Sequence, residues 1–171
     1  MEKFTYLESP VGKLLLFSDG SALTGLYTAQ QIRTKFHSLA AEQECSSRDL
    51  PVFADAEKQL AEYFAGERTE FTIPLNPKGS DFQRAVWEHL RRIEYGTTLS
   101  YVQLAQRLGK PTASRAVGNA NGKNPISIIV PCHRVIGANG ALTGYAGGLE
   151  CKKELLSHEL RYSLSGQLVK C

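Results

Sequence analysis

Long apolar runs are missing from this sequence of 171 residues. No stretch approaches the roughly 20 residues that a helix needs to cross a bilayer, so no membrane-spanning role is expected. The N-terminus, Met1-Glu2-Lys3-Phe4-Thr5, lacks an apolar h-region, so no secretory signal is expected. Cysteine is scarce and scattered: Cys45, Cys132, Cys151 and Cys171, none of them in a C-x-x-C. That spacing fits neither a disulfide framework nor the paired short-range ligands of a structural zinc site. Free thiols, no metal, no cofactor and a cytoplasmic location are the expectation, with a monomer as the default.

What is present is enough for a core: 42% of the residues are hydrophobic. Charge is sorted along the chain. Residues 1–79 carry 8 Lys+Arg against 11 Asp+Glu, and residues 80–171 carry 12 against 6, so the halves hold −3 and +6. Such sorting fits two units, the second facing a polyanion; drift in surface composition would look the same.

The first part reads as a small sheet. Apolar runs at 4–8, 13–18 and 23–28 are separated by the turn signals Ser9-Pro10-Val11-Gly12 and Asp19-Gly20, which predicts an antiparallel meander. A weakly amphipathic helix is expected over 30–41, a loop over 42–51, a helix over 55–64 ending at Gly66, and a further strand over 71–75. Asn76-Pro77-Lys78-Gly79 is the expected boundary, giving units 1–79 and 80–171.

The second part turns helical. Ser80 with Gln83, and Ser100 with Gln103, fit capping boxes. Phe82, Val86, Leu90 and Ile93 mark one helical face that Gly96 would stop. The next helix is expected to bury Val102, Ala105 and Leu108 and to end at Gly109. Thr112 is the expected cap of a third helix running to about Asn121. Two short helices around a Gly-containing turn read as a helix-turn-helix. The third helix is built of small residues, Ala113, Ser114, Ala116, Gly118 and Ala120, with Arg115 as its one long central side chain. Such a helix can approach a neighbouring helix or a nucleic-acid groove closely; DNA contact is the favoured reading.

The chemistry is concentrated in Pro131-Cys132-His133-Arg134, after the apolar run Ile126–Val130. The run reads as a strand, and Pro131 as its end. A thiolate is a strong nucleophile, and a neighbouring base and positive charge favour it. Adjacent residues in extended chain point to opposite faces, so His133 is expected to act on Cys132 through a water. Glu159 is the candidate to fix the His133 tautomer. Asn124, held extended by Pro125, can bridge backbone groups of the turn before the site. The loop Thr143-Gly144-Tyr145-Ala146-Gly147-Gly148 suits the wall of a flat pocket, or is an ordinary Gly-rich turn.

These segments resemble the O6-alkylguanine-DNA alkyltransferases, also called methylated-DNA–protein-cysteine methyltransferases. The resemblance runs from about Ser80 to Glu159. It is carried by Asn124-Pro125-Ile126-Ser127-Ile128-Ile129-Val130-Pro131-Cys132-His133-Arg134-Val135-Ile136-Gly137, Ser100-Tyr101-Val102-Gln103-Leu104-Ala105, Ser114-Arg115-Ala116-Val117-Gly118 and Tyr145-Ala146-Gly147-Gly148. It implies an α/β chain: a ribonuclease H-like antiparallel-sheet domain followed by a helical domain with a helix-turn-helix. It implies that Cys132 takes the alkyl group from O6 of guanine, that His133 deprotonates the thiol through water, and that Glu159 orients His133. Asn124 would brace the turn, and Tyr101 would protonate or hydrogen-bond the leaving guanine. Tyr145, Val135, Ala146, Gly147 and Lys152 would line the base pocket. Arg115 would fill the gap left by a flipped base, with Ala113, Ser114, Gly118 and Asn121 on the same DNA-facing helix in the minor groove. The implied partner is double-stranded DNA carrying O6-alkylguanine. Ala146 replaces a serine of some members, Glu154 stands where many have Trp, and Lys153 where many have Glu. The metal-ligand cluster that some members carry near the N-terminus is not seen. A cysteine hydrolase using Cys132, His133 and Glu159, and a helix-turn-helix module without chemistry, are the rival readings.

Overall fold

The computed structural model describes residues 2–39 and 44–169, with side chains described to residue 163. The chain divides into two compact units, one made of 1–78 with Pro125–Ser127 and the other of 79–124 with 128–171. The sequence boundary near Gly79 assigns all of 80–171 to the second; the three residues Pro125–Ser127 pack instead with the first.

The first unit is built on strands β1 (Lys3–Leu7), β2 (Leu14–Ser18) and β3 (Leu23–Tyr27), antiparallel in the order β1-β2-β3. The predicted meander is present, and its second turn shows why. Gly20 takes φ 107°, and the Asp19 carboxylate accepts from Ser21 N and Ala22 N, both at 3.0 Å. Phe4, Leu14, Leu15, Leu16, Leu23 and Leu26 are buried from the sheet. Helix α1 (Ala29–Lys35) is shorter than the span predicted at 30–41, whose residues 40 and 41 lie outside the described ones.

Helix α2 (Pro51–Phe64) starts four residues earlier than predicted, because Pro51 sits where a helix needs no backbone N–H. Its Phe53, Leu60 and Tyr63 close the core over the sheet unit. Residues 71–75 form no strand. Leu23 N donates to Pro74 O at 2.9 Å and Leu23 O accepts from Asn76 N at 2.8 Å, a single bridge in place of a ladder.

In the second unit, helix α3 (Asp81–Leu90) opens with the Ser80–Gln83 capping box. It ends at Leu90, short of Gly96; a turn carries Ile93 into the core. Trp87 Nε1 donates to Ala120 O at 2.9 Å and so ties α3 to helix α5 (Ser114–Gly122). A two-residue parallel pair, β4 (Leu99–Ser100) with β5 (Val135–Ile136), leads into helix α4 (Tyr101–Arg107), capped by Ser100 and Gln103.

Helix α4 buries Leu104 and Ala105 rather than Val102, which is 43% exposed. The inward stripe runs through 101, 104, 105 and 108, the spacing that keeps residues on one helical face. Gly109 at φ 71° makes the turn into α5. That helix is capped by Ala113, not Thr112, without a side-chain bond. Helix α6 (Leu149–Val169) completes the unit. Among the described residues, no helix is long and apolar enough to cross a membrane.

Candidate active site

The apolar run before the site is a turn, not the predicted strand. Ile126 bridges Leu26 once, and Ile128 takes φ 71°, a left-handed conformation that β-branched residues avoid. The run is apolar because Ile126, Ile128, Ile129 and Val130 are all buried, and burial leaves the same mark on a turn as on a strand. A single 3₁₀ turn, Cys132–Arg134, follows. The 3₁₀ turn sets Cys132, His133 and Arg134 in different directions, and His133 and Arg134 converge on one carboxylate, Glu159.

His133 is fully buried, with Nε2 2.7 Å from Glu159 Oε1. Arg134 grips the same carboxylate from the other side: Nε donates to Oε2 and Nη2 to Oε1, both at 2.9 Å. Its Nη1 donates to Ile93 O at 2.6 Å, and its guanidinium lies 5.6 Å from the Tyr95 ring centroid. Gly96 N makes a longer bond to Glu159 Oε2 at 3.4 Å.

Burial opposes the Glu159 charge, but His133 and Arg134 overcome it and hold the carboxyl well below the usual range. Burial pushes the His133 pKa down against the pull of Glu159. A neutral His133 therefore donates from Nε2 to an ionised Glu159, which leaves Nδ1 as an acceptor; no described residue bonds it.

Cys132 is 4% exposed. Its burial pushes the thiol up to about 11, against the Asn124 amide and the Lys152 ammonium, which favour the thiolate. Nearby positive charge favours the thiolate, as expected from sequence, but does not suffice to ionise Cys132. The charge of Arg134 is engaged by Glu159, and desolvation outweighs what remains. At rest Cys132 is a thiol, and ionising it needs a base.

The other residues named from sequence fall into three groups. Asn124, Tyr101 and Lys152 gather about the centre. Asn124 Nδ2 donates to Val130 O at 2.8 Å, which braces the turn that carries Cys132. Tyr101, the first residue of α4, donates to Thr143 O at 3.2 Å, and burial raises its pKa. Lys152 is buried and donates to Val135 O at 2.6 Å and Thr143 O at 3.1 Å, with its ammonium 6.0 Å from the Tyr145 ring centroid. Val135, Tyr145 and Gly147 are buried in the same unit and Ala146 is exposed.

On α5, Arg115 is exposed, and Ala113 and Ser114 are half-buried. Gly118 faces α4: a Cβ there would stand 3.4 Å from the Tyr101 ring. Asn121 does not join the outward set. It is 2% exposed on the face that also buries Val117 and Ala120, and its amide points at Cys132 O at 3.5 Å. Its side chain thus stands behind Cys132 and off the outward face on which DNA contact was expected. Two participants escaped the sequence reading: the Arg134 clamp, signalled only by adjacency to His133, and the Thr143 carbonyl, which no side-chain pattern reveals. Among the described residues, no cluster of three His, Cys, Asp or Glu side chains could hold a metal.

Comparison with known proteins is consistent with this geometry. The family model described as 6-O-methylguanine DNA methyltransferase, DNA binding domain, matches residues 81–161, and its ribonuclease-like domain matches residues 3–77. The methylated-DNA–protein-cysteine methyltransferase of Mycolicibacterium paratuberculosis is 48% identical over 163 residues, which cover 95% of each chain. The constitutive methylated-DNA–protein-cysteine methyltransferase of Bacillus subtilis is 44% identical over 160 residues, 93% of this chain and 96% of that one. A crystal structure of Mycobacterium tuberculosis OGT in complex with DNA is 46% identical, covers 94% of both chains and gives a TM-score of 0.81. On these matches, the chain belongs to the methylated-DNA–protein-cysteine methyltransferase family.

Proposed function

We infer that this protein repairs DNA by moving the alkyl group from O6 of guanine onto the Cys132 sulfur. The observation that carries this reading is the buried Cys132 thiol, held protonated, next in sequence to a buried neutral His133 whose Nε2 is bonded to Glu159 and whose Nδ1 is open as an acceptor. Ionising a thiol of pKa about 11 at neutral pH costs about 5 kcal/mol, so removal of the proton has to accompany attack.

His133 takes that proton through a water, while Glu159 stabilises the imidazolium that forms. The sulfur attacks the alkyl carbon, a C–S bond forms as the C–O bond breaks, and the bonding electrons pass to the guanine. Tyr101 supplies a proton or hydrogen bond to the departing base. The thioether product cannot be hydrolysed readily, so each molecule acts once.

The alkylated base leaves the stack to reach a buried sulfur, at a cost of a few kcal/mol. Arg115, exposed on α5, fills the gap as a wedge from the minor groove, with Ala113, Ser114 and Gly118 allowing close approach. Tyr145, Val135, Ala146, Gly147 and Lys152 line the base pocket. The basic residues of 80–171 contact phosphate, so that segment is the alkyltransferase domain and 1–79 its companion. The protein acts in the cytoplasm as a monomer without a cofactor.

Intact-protein mass spectrometry after mixing with a duplex containing O6-methylguanine tests the reading. The expected result is a gain of one CH2 mapped to Cys132, complete at one equivalent, and absent in Cys132→Ala. Steady multiple turnover on esters would establish the cysteine-hydrolase alternative, and tight DNA binding with no mass change would establish a binding module.

A further inference from the structure

The two edges of the three-stranded sheet are treated differently. Along β3, Leu23 exchanges hydrogen bonds with Pro74 and Asn76, and Leu26 with Pro125 and Ser127. Along β1 the covering stops early. Cys45 N donates to Phe4 O at 2.9 Å, and the chain then turns away: Ser46 N donates to the Asp49 carboxylate at 2.8 Å, and Asp49 N to Ser46 O at 3.0 Å. Residues of an antiparallel strand alternate between facing one neighbour and the other. Phe4 faces outward, so Tyr6 does too, and its outward N–H and C=O meet no backbone partner among the described residues outside the sheet.

The open edge borders a groove of about 1110 Å³ between β1 and α2. Leu14, Leu60 and Phe64 give it an apolar floor. Glu8, Glu44, Asp49 and Glu57 stand around it, and among the described residues no lysine or arginine lines it. Lys13 lies 3.9 Å from Glu8; the other three carboxylates form no ion pair with a base among the described residues.

We propose that the Tyr6 edge of β1 is a docking site for an extended segment of a partner protein with alternating apolar and lysine or arginine side chains, added as a fourth strand. Main-chain bonds to Tyr6 supply the pairing. Alternation along the added strand turns its apolar row to the floor, and the long lysine or arginine side chains reach the carboxylates around the groove. The same acids disfavour a second copy of this chain, because pairing two β1 edges would set like charges opposite each other.

The test follows the Tyr6 amide in the full-length protein by hydrogen exchange, with an N-acetylated peptide of alternating valine and lysine and its valine–glutamate counterpart. The lysine peptide is expected to slow Tyr6 exchange at least tenfold and the glutamate peptide to leave it unchanged. Glu44→Lys with Glu57→Lys is expected to weaken binding of the lysine peptide tenfold or more, and Glu57→Gln alone by a smaller factor, with alkyl transfer unaltered in both. Three outcomes overturn the proposal: unprotected Tyr6, which would make the acids only a guard against strand pairing; equal response to both peptides; or Tyr6 protection that rises with protein concentration in the absence of peptide, which would make the occupant a second copy.

Discussion

The two units bury polar side chains of different kinds. In the sheet unit the buried polar residues are Thr5, Ser18, Thr24, Thr28, Gln31, Gln59 and Ser127, all neutral. In the second unit they include His133, Arg134, Lys152 and Glu159, beside Asn121 and Asn124. Among the described residues, every buried ionisable group that is not a cysteine or tyrosine therefore lies in the unit that holds Cys132. A neutral buried side chain is satisfied by one or two local hydrogen bonds, as Gln59 is by Thr72. A buried ion carries a penalty of several kcal/mol and persists only when its partners are all in place. The first unit is thus stabilised by ordinary apolar burial, while the second accepts an expensive charged arrangement beside Cys132, whose return under the proposed function is chemical.

The sharpest way to break this contrast is to remove one partner from each unit. Glu159→Ala leaves His133 and Arg134 buried without their carboxylate and is expected to lower the unfolding free energy by about 3–5 kcal/mol. Gln59→Ala, which strands only neutral groups at Thr72, is expected to lower it by about 1–2 kcal/mol. Urea denaturation of both variants decides; equal losses would mean that the charged cluster is no more costly than the neutral one.

Acid should probe the same difference more gently. His133 has its pKa lowered in the fold, so as pH falls below its ordinary 6.5 the unfolded chain takes up the proton first and stability declines. Glu159 has its pKa lowered as well, so its contribution is present above its ordinary 4.5 and is lost as pH falls below it. Both groups act in one direction: urea midpoints should drop progressively from pH 7 to pH 4. Glu159→Gln should remove much of the slope below pH 5. A flat profile in the unaltered protein would contradict the assignment of both protonation states.

The smallest expected effect separates stability from chemistry. Thr28→Ala in the sheet unit and Ser100→Ala in the second unit each weaken a capping box and should each cost about 1 kcal/mol. Only Ser100→Ala should also slow alkyl transfer, because Ser100 fixes the start of α4 and hence Tyr101. Single-turnover kinetics on a duplex with O6-methylguanine would show this, and equal rates for the two variants would detach Tyr101 from the reaction.

What was legible in the sequence was local. The capping boxes at Ser80 and Ser100 and the turns at Gly20 and Gly109 depend on residues within a few positions, and they form as read. The Pro131-Cys132-His133-Arg134 run reads as a candidate nucleophile for the same reason. Glu159 behind His133 was also anticipated, but that Arg134 would hold the same carboxylate was not, since the pairing spans 25 residues and adjacency pointed Arg134 at the thiol. Nor does sequence weigh burial against charge: Cys132 has favourable neighbours and a raised pKa because desolvation is the larger effect. The face on which Asn121 lies was not legible, because a helix of small residues looks alike on both faces until one of them is packed.

Ile128 carries one further consequence. A β-branched residue in the left-handed region costs on the order of 1–3 kcal/mol, and burying its side chain returns about as much. The turn is therefore poised, held in its unfavourable shape by the packing of its own side chain. If that packing loosens, the backbone has every reason to relax towards an extended form, and the 3₁₀ turn four residues on loses its starting direction. Reactivity and integrity then vanish together: a molecule slackened at this point is silent, and a population under thermal stress consists of competent and inert copies with few in between.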